Sequence, residues 1–366
     1  MQKNSRASIL IFTLLILSVI TILTEQLVRI VLVNYSFTSG QIKKEQARAL
    51  ALGAVNLAIS QLLDQEIIDK KENEKDKSED KEFKLYLKRV FPHINKMQKF
   101  KLNNIKEGLD GEVGFCISCE NGKININKVF DFEKNEFKDD YKKLLVGLEI
   151  KGKLKPGEIL KKLTEFLRER KRPLDDVSQL VGLSDLSAVD LFYLPPVKAE
   201  NKEKAKPNTQ IYLQDLFTTY TDNEGLEFLF LSNSLLNIFG LRQPLFDDAI
   251  TLDKKFNKII STIKKDYVTN LIPSWEMYSP IFGKNNKVLD AFKQILSKEF
   301  GPKVFSVLSY GKVDNIEERL VTVIKETETK NEEKETAGNL VQNQNLAKPQ
   351  EQESNKVFKI IRMYWI

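Results

Sequence analysis

Hydrophobic positions are bunched early in the chain and periodic afterwards. Between Arg6 and Glu25 there is no charged residue, and Ile9 to Leu17 is apolar apart from Thr13. Apolar character resumes at Leu27, Val28 and the run Ile30 to Val33. A helix crosses bilayer hydrocarbon with about 20 apolar residues, so residues 8–33 are predicted to span a membrane. Glu25 and Arg29 then fall at the interface, spaced i, i+4 with the acid first, the favourable order for a helical ion pair. Lys3 and Arg6 precede the span, so the positive-inside rule places the N-terminus in the cytoplasm and the rest beyond the membrane. A cleaved secretory signal competes with this reading, but no A-x-A site follows the apolar run.

The helical pattern does not stop at the span. No proline occurs before Pro92, and only Gly40 and Gly53 interrupt residues 1–64. Ala47, Leu50, Ala51, Ala54, Leu57, Ala58 and Leu62 recur at helical spacing, a narrow face rich in small residues. Residues 34–64 are therefore expected to continue the helix as an amphipathic rod, about 85 Å long from residue 8. The alternative is a break at Ser39-Gly40, after the strand-forming Tyr35 to Thr38.

Residues 65–111 read as a charged linker and a short helix stopped at Pro92. Alternation then starts: Val113, Phe115, Ile117 and Cys119 interleave with smaller or polar residues, predicting a half-buried strand. Asn121-Gly122 suits a two-residue turn that would pair Cys119 with Ile124 and Ile117 with Ile126. Residues 112–130 thus open an α/β domain. Helical periodicity over residues 131–300 predicts a large all-α insertion, and strands return in 301–366 around a polar loop at 325–356. The fold class expected is α+β, a long N-terminal transmembrane helix packed on an antiparallel sheet that carries the insertion.

Composition removes several kinds of chemistry. The 57 Lys and Arg are interleaved with 51 Asp and Glu, so a net charge of +6 makes no one-sign face and no nucleic-acid partner is expected. His93 is the only histidine, which denies a usual triad and a zinc site. Cys116 and Cys119 have C-x-x-C spacing, yet on a strand they point to opposite faces about 10 Å apart, so buried free thiols are expected. Asp139-Asp140, Asp175-Asp176 and Asp247-Asp248 read as surface or helix-start acids. Val146-Gly147-Leu148 and Val181-Gly182-Leu183 echo the turns of a helix–hairpin–helix module but lack its second glycine. An assembly role without catalysis is the leading expectation. The rivals are a membrane-tethered binding module for DNA or cell wall, and an anchored hydrolase.

Arg6-Ala7-Ser8-Ile9-Leu10-Ile11, followed by the long helix, resembles the leader of type IV pilin-like proteins, with Ala7 where that family has glycine. The resemblance implies cleavage of residues 1–7 by prepilin peptidase between Ala7 and Ser8, and methylation of the new N-terminus. Phe12 then stands at the fifth mature position, where most pilins carry glutamate. That substitution is similar to the K-type minor pseudopilins of type II protein secretion, found at the pseudopilus tip. Gln46 to Ala51, Gly122 to Asn127, Asp175 to Leu183 with Pro195-Pro196, and Leu231 to Leu235 resemble that family's segments in order. The resemblance implies a pilin-like sheet, an inner-membrane anchor and a periplasmic domain. It implies as partners other minor pseudopilins and the secretion apparatus. No cofactor is required; a structural calcium ion belongs to what the family implies, with Thr221 to Gly225 as a source of oxygens and no ligand assigned.

Overall fold

The computed structural model describes residues 4–63, 90–147, 157–183, 211–222, 224–239, 295–297, 303–329 and 355–366. The expected linker up to residue 89, Leu148, Asp247-Asp248, Pro195-Pro196 and much of the expected insertion lie outside the described residues. Helix α1 runs unbroken over Asn4–Leu63. Its 60 residues reach about 90 Å. The break at Ser39-Gly40 does not occur, and Tyr35 to Thr38 are helical despite their strand preference. Helical hydrogen bonding carried through from both sides keeps the amides there paired, which outweighs weak local propensity.

One five-stranded antiparallel sheet receives the second half of α1. Its order is β1 (Met97–Leu102), β2 (Gly111–Cys119), β7 (Val304–Val313), β8 (Ile316–Thr329) and β9 (Asn355–Trp365). Between β2 and β7 the chain makes β3 (Ile124–Asn125), β4 (Phe130–Asp131), β5 (Glu136–Phe137) and β6 (Phe217–Thr218), with helices α2 (Asp139–Val146) and α3 (Glu158–Arg170). Strands far apart in sequence lie side by side, Cys116 opposite Leu308 and Cys119 opposite Phe305. The β7–β8 turn needs only Asp314-Asn315, with Asp314 in the left-handed region at φ 52°.

Two cores flank the sheet. Ala51, Ala54, Val55, Ala58 and Leu62 of α1 pack with Val113, Phe115, Ile117, Phe305 and Ile324. On the opposite face Ile126, Phe130, Leu163, Leu180 and Phe217 form the core of the helical block and reach the sheet at Val321.

Several expectations are corrected. The turn at Asn121-Gly122 does not form a hairpin: Glu120–Gly122 is a 3-10 turn, and β3 pairs in parallel with β6. Both edges of β2 are already taken by β1 and β7, so Ile124 and Ile126 cannot pair with it. Gly122 is glycine because a Cβ would stand 1.7 Å from the Phe230 carbonyl oxygen. β2 is buried on both faces rather than half-buried, because α1 covers one side and the helical block the other. β1 falls where linker and short helix were expected, a lysine-rich edge strand whose apolar alternation is thin. The expected all-α region contains the β4–β5 ladder and β6. The polar loop is shorter than 325–356, since residues 325–329 and 355–356 pair as strand; a Thr–Glu alternation gives no hydrophobic signal while its backbone completes the ladder.

Candidate functional site: the N-terminal helix and its seat

Helix α1 divides by exposure. From Ile11 to Thr38 every residue is exposed, and the most apolar stretch has a mean hydropathy of 2.1 with none of it buried. This is one helix long and apolar enough to cross a membrane. Polar side chains within it are turned inward: Ser18, Thr21 and Thr24 each donate a hydroxyl hydrogen bond of 2.8 Å to the carbonyl four residues back. Such back-bonds leave few polar groups needing water along this stretch. Phe12 is 65% exposed. Ala7 and Ser8 lie in the first turns, with only their backbone described. Glu25 and Arg29 are exposed one turn apart and, among the described residues, form no ion pair with each other.

The second half is held closely. Ala47, Ala51, Ala54 and Ala58 are fully buried, as the small-residue spacing predicts, whereas Leu57 faces outward. β7 answers this face with Gly311, where a Cβ would stand 2.0 Å from the Ala47 carbonyl oxygen and 2.8 Å from the Ala51 nitrogen. Backbones therefore meet directly, which only small residues allow.

Polar contacts rim the seat. Lys43 bonds Asp314 at 2.8 Å, which raises the lysine pKa. Arg48 reaches Glu318 at 3.2 Å and lies 5.3 Å from the centre of the Trp365 ring. At the upper end Gln61 and Gln98 exchange two 2.7 Å hydrogen bonds, and Gln98 lies 3.1 Å from His93 Nδ1. Burial, with Lys96 nearby, lowers the His93 pKa.

A buried polar seam joins the helical block to the sheet. Lys123 Nζ bonds Glu120 at 2.5 Å and Ser306 at 3.1 Å, and Thr218 donates to the other Glu120 oxygen at 2.5 Å. Beside them Asp215 accepts the Ser234 amide at 2.6 Å, its carboxyl pKa pushed up by burial against the pull of Lys123. A cavity of about 20 Å³ lies between Cys116, Ser118, Lys123, Gln214 and Asp215. That is room for one water. Asn125 and Asn127 peg the block, the first to the Thr221 carbonyl and the second to both backbone groups of Leu174. Asp176, expected as a surface or helix-start acid, starts the 3-10 turn Val177–Gly182 as its cap, but is buried and takes the Tyr220 hydroxyl.

Cys116 and Cys119 are free and buried, and burial pushes the Cys116 pKa up to about 12, so neither is poised as a nucleophile. In the loop at 221–225, of which Asn223 lies outside the described residues, three oxygens have a cationic or amide neighbour. Asn125 takes the Thr221 carbonyl, Lys325 lies 3.8 Å from Asp222, and Lys138 lies 2.6 Å from Glu224. Among the described residues no group of three carboxylate, histidine or cysteine side chains converges. Gly147 ends α2 and Gly182 closes the 3-10 turn, giving both glycines a local structural use.

Sequence reasoning located α1 and its alanine face. It missed Gly311, Glu318 and the Glu120–Lys123 pair, whose partners lie far along the chain.

No family model matches the chain, and no curated protein matches it. Among solved structures it is similar to a chain of the GspK-GspI-GspJ complex from the enterotoxigenic Escherichia coli Type 2 Secretion System, with 11% identity and a TM-score of 0.34. The match covers 91% of this chain and 97% of that one. At that score the two backbones superpose too loosely to establish a common fold.

Proposed function

We propose that this chain is a membrane-anchored subunit of a pseudopilus, a minor pseudopilin that starts or caps the filament at its tip during type II protein export. One observation carries the reading: a single unbroken helix is bare and apolar over its first half and locked to a sheet over its second. The bare half suits lipid first and neighbouring helices afterwards, where packing and small-residue contact drive association. Phe12 supports a terminal position. A carboxylate at that place would lie in hydrocarbon and need the amino terminus of a following subunit; phenylalanine needs no such partner. The helical block on the far face of the sheet adds the bulk that stops another subunit from stacking. In this reading the domain is periplasmic, the anchor lies in the inner membrane, and the partners are other minor pseudopilins. Prepilin peptidase cuts between Ala7 and Ser8 and methylates the new terminus, and there is no catalytic step.

Mass spectrometry of the mature N-terminus tests this. Ala7→Trp is expected to abolish processing, and unchanged processing sinks the assignment. Replacing residues 8–33 with an unrelated span should abolish assembly; retained function would favour a tethered binding module instead.

A further inference from the structure

The two edges of the sheet differ. β1 is short and carries Lys99 and Lys101. Lysines on an edge oppose pairing with a like-charged strand; β9 is basic too, and differs from β1 in its length and its exposed apolar side chains. β9 spans 11 residues and, among the described residues, pairs only with β8. Val357, Ile360, Ile361, Met363 and Trp365 on it, and Ile366 just beyond it, are all exposed. Beyond α1, few other large apolar side chains are exposed among the described residues; Phe100, Ile105, Val146 and Val181 are scattered singly. An apolar strand with a free backbone edge is a template for one more strand.

Charge selects the occupant. Residues 355–366 contain Lys356, Lys359 and Arg362 and no acid. Arg362 lies 4.0 Å from the buried Asp176 and remains 55% exposed. A second copy is a poor fit. Parallel in-register pairing sets each cation against itself, and antiparallel pairing about Ile360 and Ile361 sets Lys359 against Arg362. Like charges directly opposite destabilise a ladder.

We infer that β9 is a docking edge for an extended segment of a partner protein that alternates apolar and acidic residues, added as a further antiparallel strand. A register shift at Ile361, with Ile360 opposite Ile324 and Arg362 opposite Val323, brings Lys359 and Arg362 to one face and Ile360 and Met363 to the other. The partner's carboxylates face the first pair, its apolar side chains cover the second, and its backbone lies along the edge that no described strand occupies. The inference concerns the folded domain alone and stands whether or not α1 enters a filament.

The test uses the full chain in detergent micelles and three short synthetic probes. These are a peptide alternating glutamate and valine, the same peptide with lysine for glutamate, and the glutamate peptide N-methylated on alternate amides. Binding is read by fluorescence anisotropy and by hydrogen exchange of the β9 amides. The glutamate peptide should bind about tenfold more tightly than the lysine peptide, the effect of two opposed charge pairs. It should protect the β9 amides, and Lys359→Glu should remove the preference while leaving the fold unchanged by circular dichroism. Equal binding of the lysine or N-methylated peptide overturns the proposal. So does concentration-dependent dimerisation of the chain that Ile360→Lys abolishes, which would make the occupant a second copy.

Discussion

At Gly311 the contact between helix and sheet is backbone against backbone, with the Ala47 carbonyl and the Ala51 nitrogen inside the radius of any added Cβ. Neither group can swing aside as a flexible side chain would. Gly311→Ala should therefore destabilise the domain by about 3 kcal/mol, at the upper end of overpacking effects. Gly53, on the exposed side of the same helix, has nothing within 4 Å of its Cβ position. Gly53→Ala should stabilise by about 0.5–1 kcal/mol, since alanine restricts the unfolded chain. Urea denaturation of both variants checks the pair, and equal effects would mean that α1 does not rest on β7 as described. Half of this contact was legible in the sequence. The alanines announce their own face, but glycine in a strand reads equally as a bulge or a turn. Asp176 was legible only in part: it does start a helical turn, as an acid in a doublet suggests, but its burial against Tyr220 depends on residues far along the chain.

Among the elements, α1 was the most readable, because a long apolar run followed by periodic alanines needs no tertiary information. β1 and the ends of β8 and β9 were the least readable. β1 alternates Lys99 and Lys101 with Phe100 and Leu102, the end of β8 alternates threonine and glutamate, and what makes them strands is a neighbour's backbone rather than their own pattern. The hairpin expected at Asn121-Gly122 failed at the same level. Local turn chemistry was sound, but both edges of β2 were already taken. The helix itself yields a prediction. From Ile11 on, every buried residue of α1 lies at Ala47 or beyond, so deleting residues 1–38 should leave the melting temperature of the domain unchanged within about 2 °C. A large drop in a calorimetric scan would mean that the bare half contributes to the fold.

For the molecule as a whole, the sheet is assembled from strands on either side of the helical block, and the block is tied to it by buried charge. Lys123→Met alone leaves Glu120 buried without its cation and should cost about 3–5 kcal/mol. Adding Glu120→Leu should recover much of that loss, as buried ion pairs replaced by apolar groups often do. Chemical denaturation of the single and double variants separates a seam that stabilises from one that only specifies alignment; a double variant worse than the single one would show that Glu120 is held chiefly by Thr218. The unbroken course of α1 has a mechanical consequence. With no hinge between lipid and head, the rod is a lever, and each degree of tilt in its apolar half displaces the far end by about 1.5 Å over about 90 Å. Transmembrane helices lean by about 20° on average and adjust to bilayer thickness. In the proposed membrane-anchored reading, a tilt of about 20° pivoting about the middle of the apolar half would carry Arg48, on which Trp365 of β9 packs, through about 15 Å, so hydrocarbon thickness would bear on where the β9 edge stands.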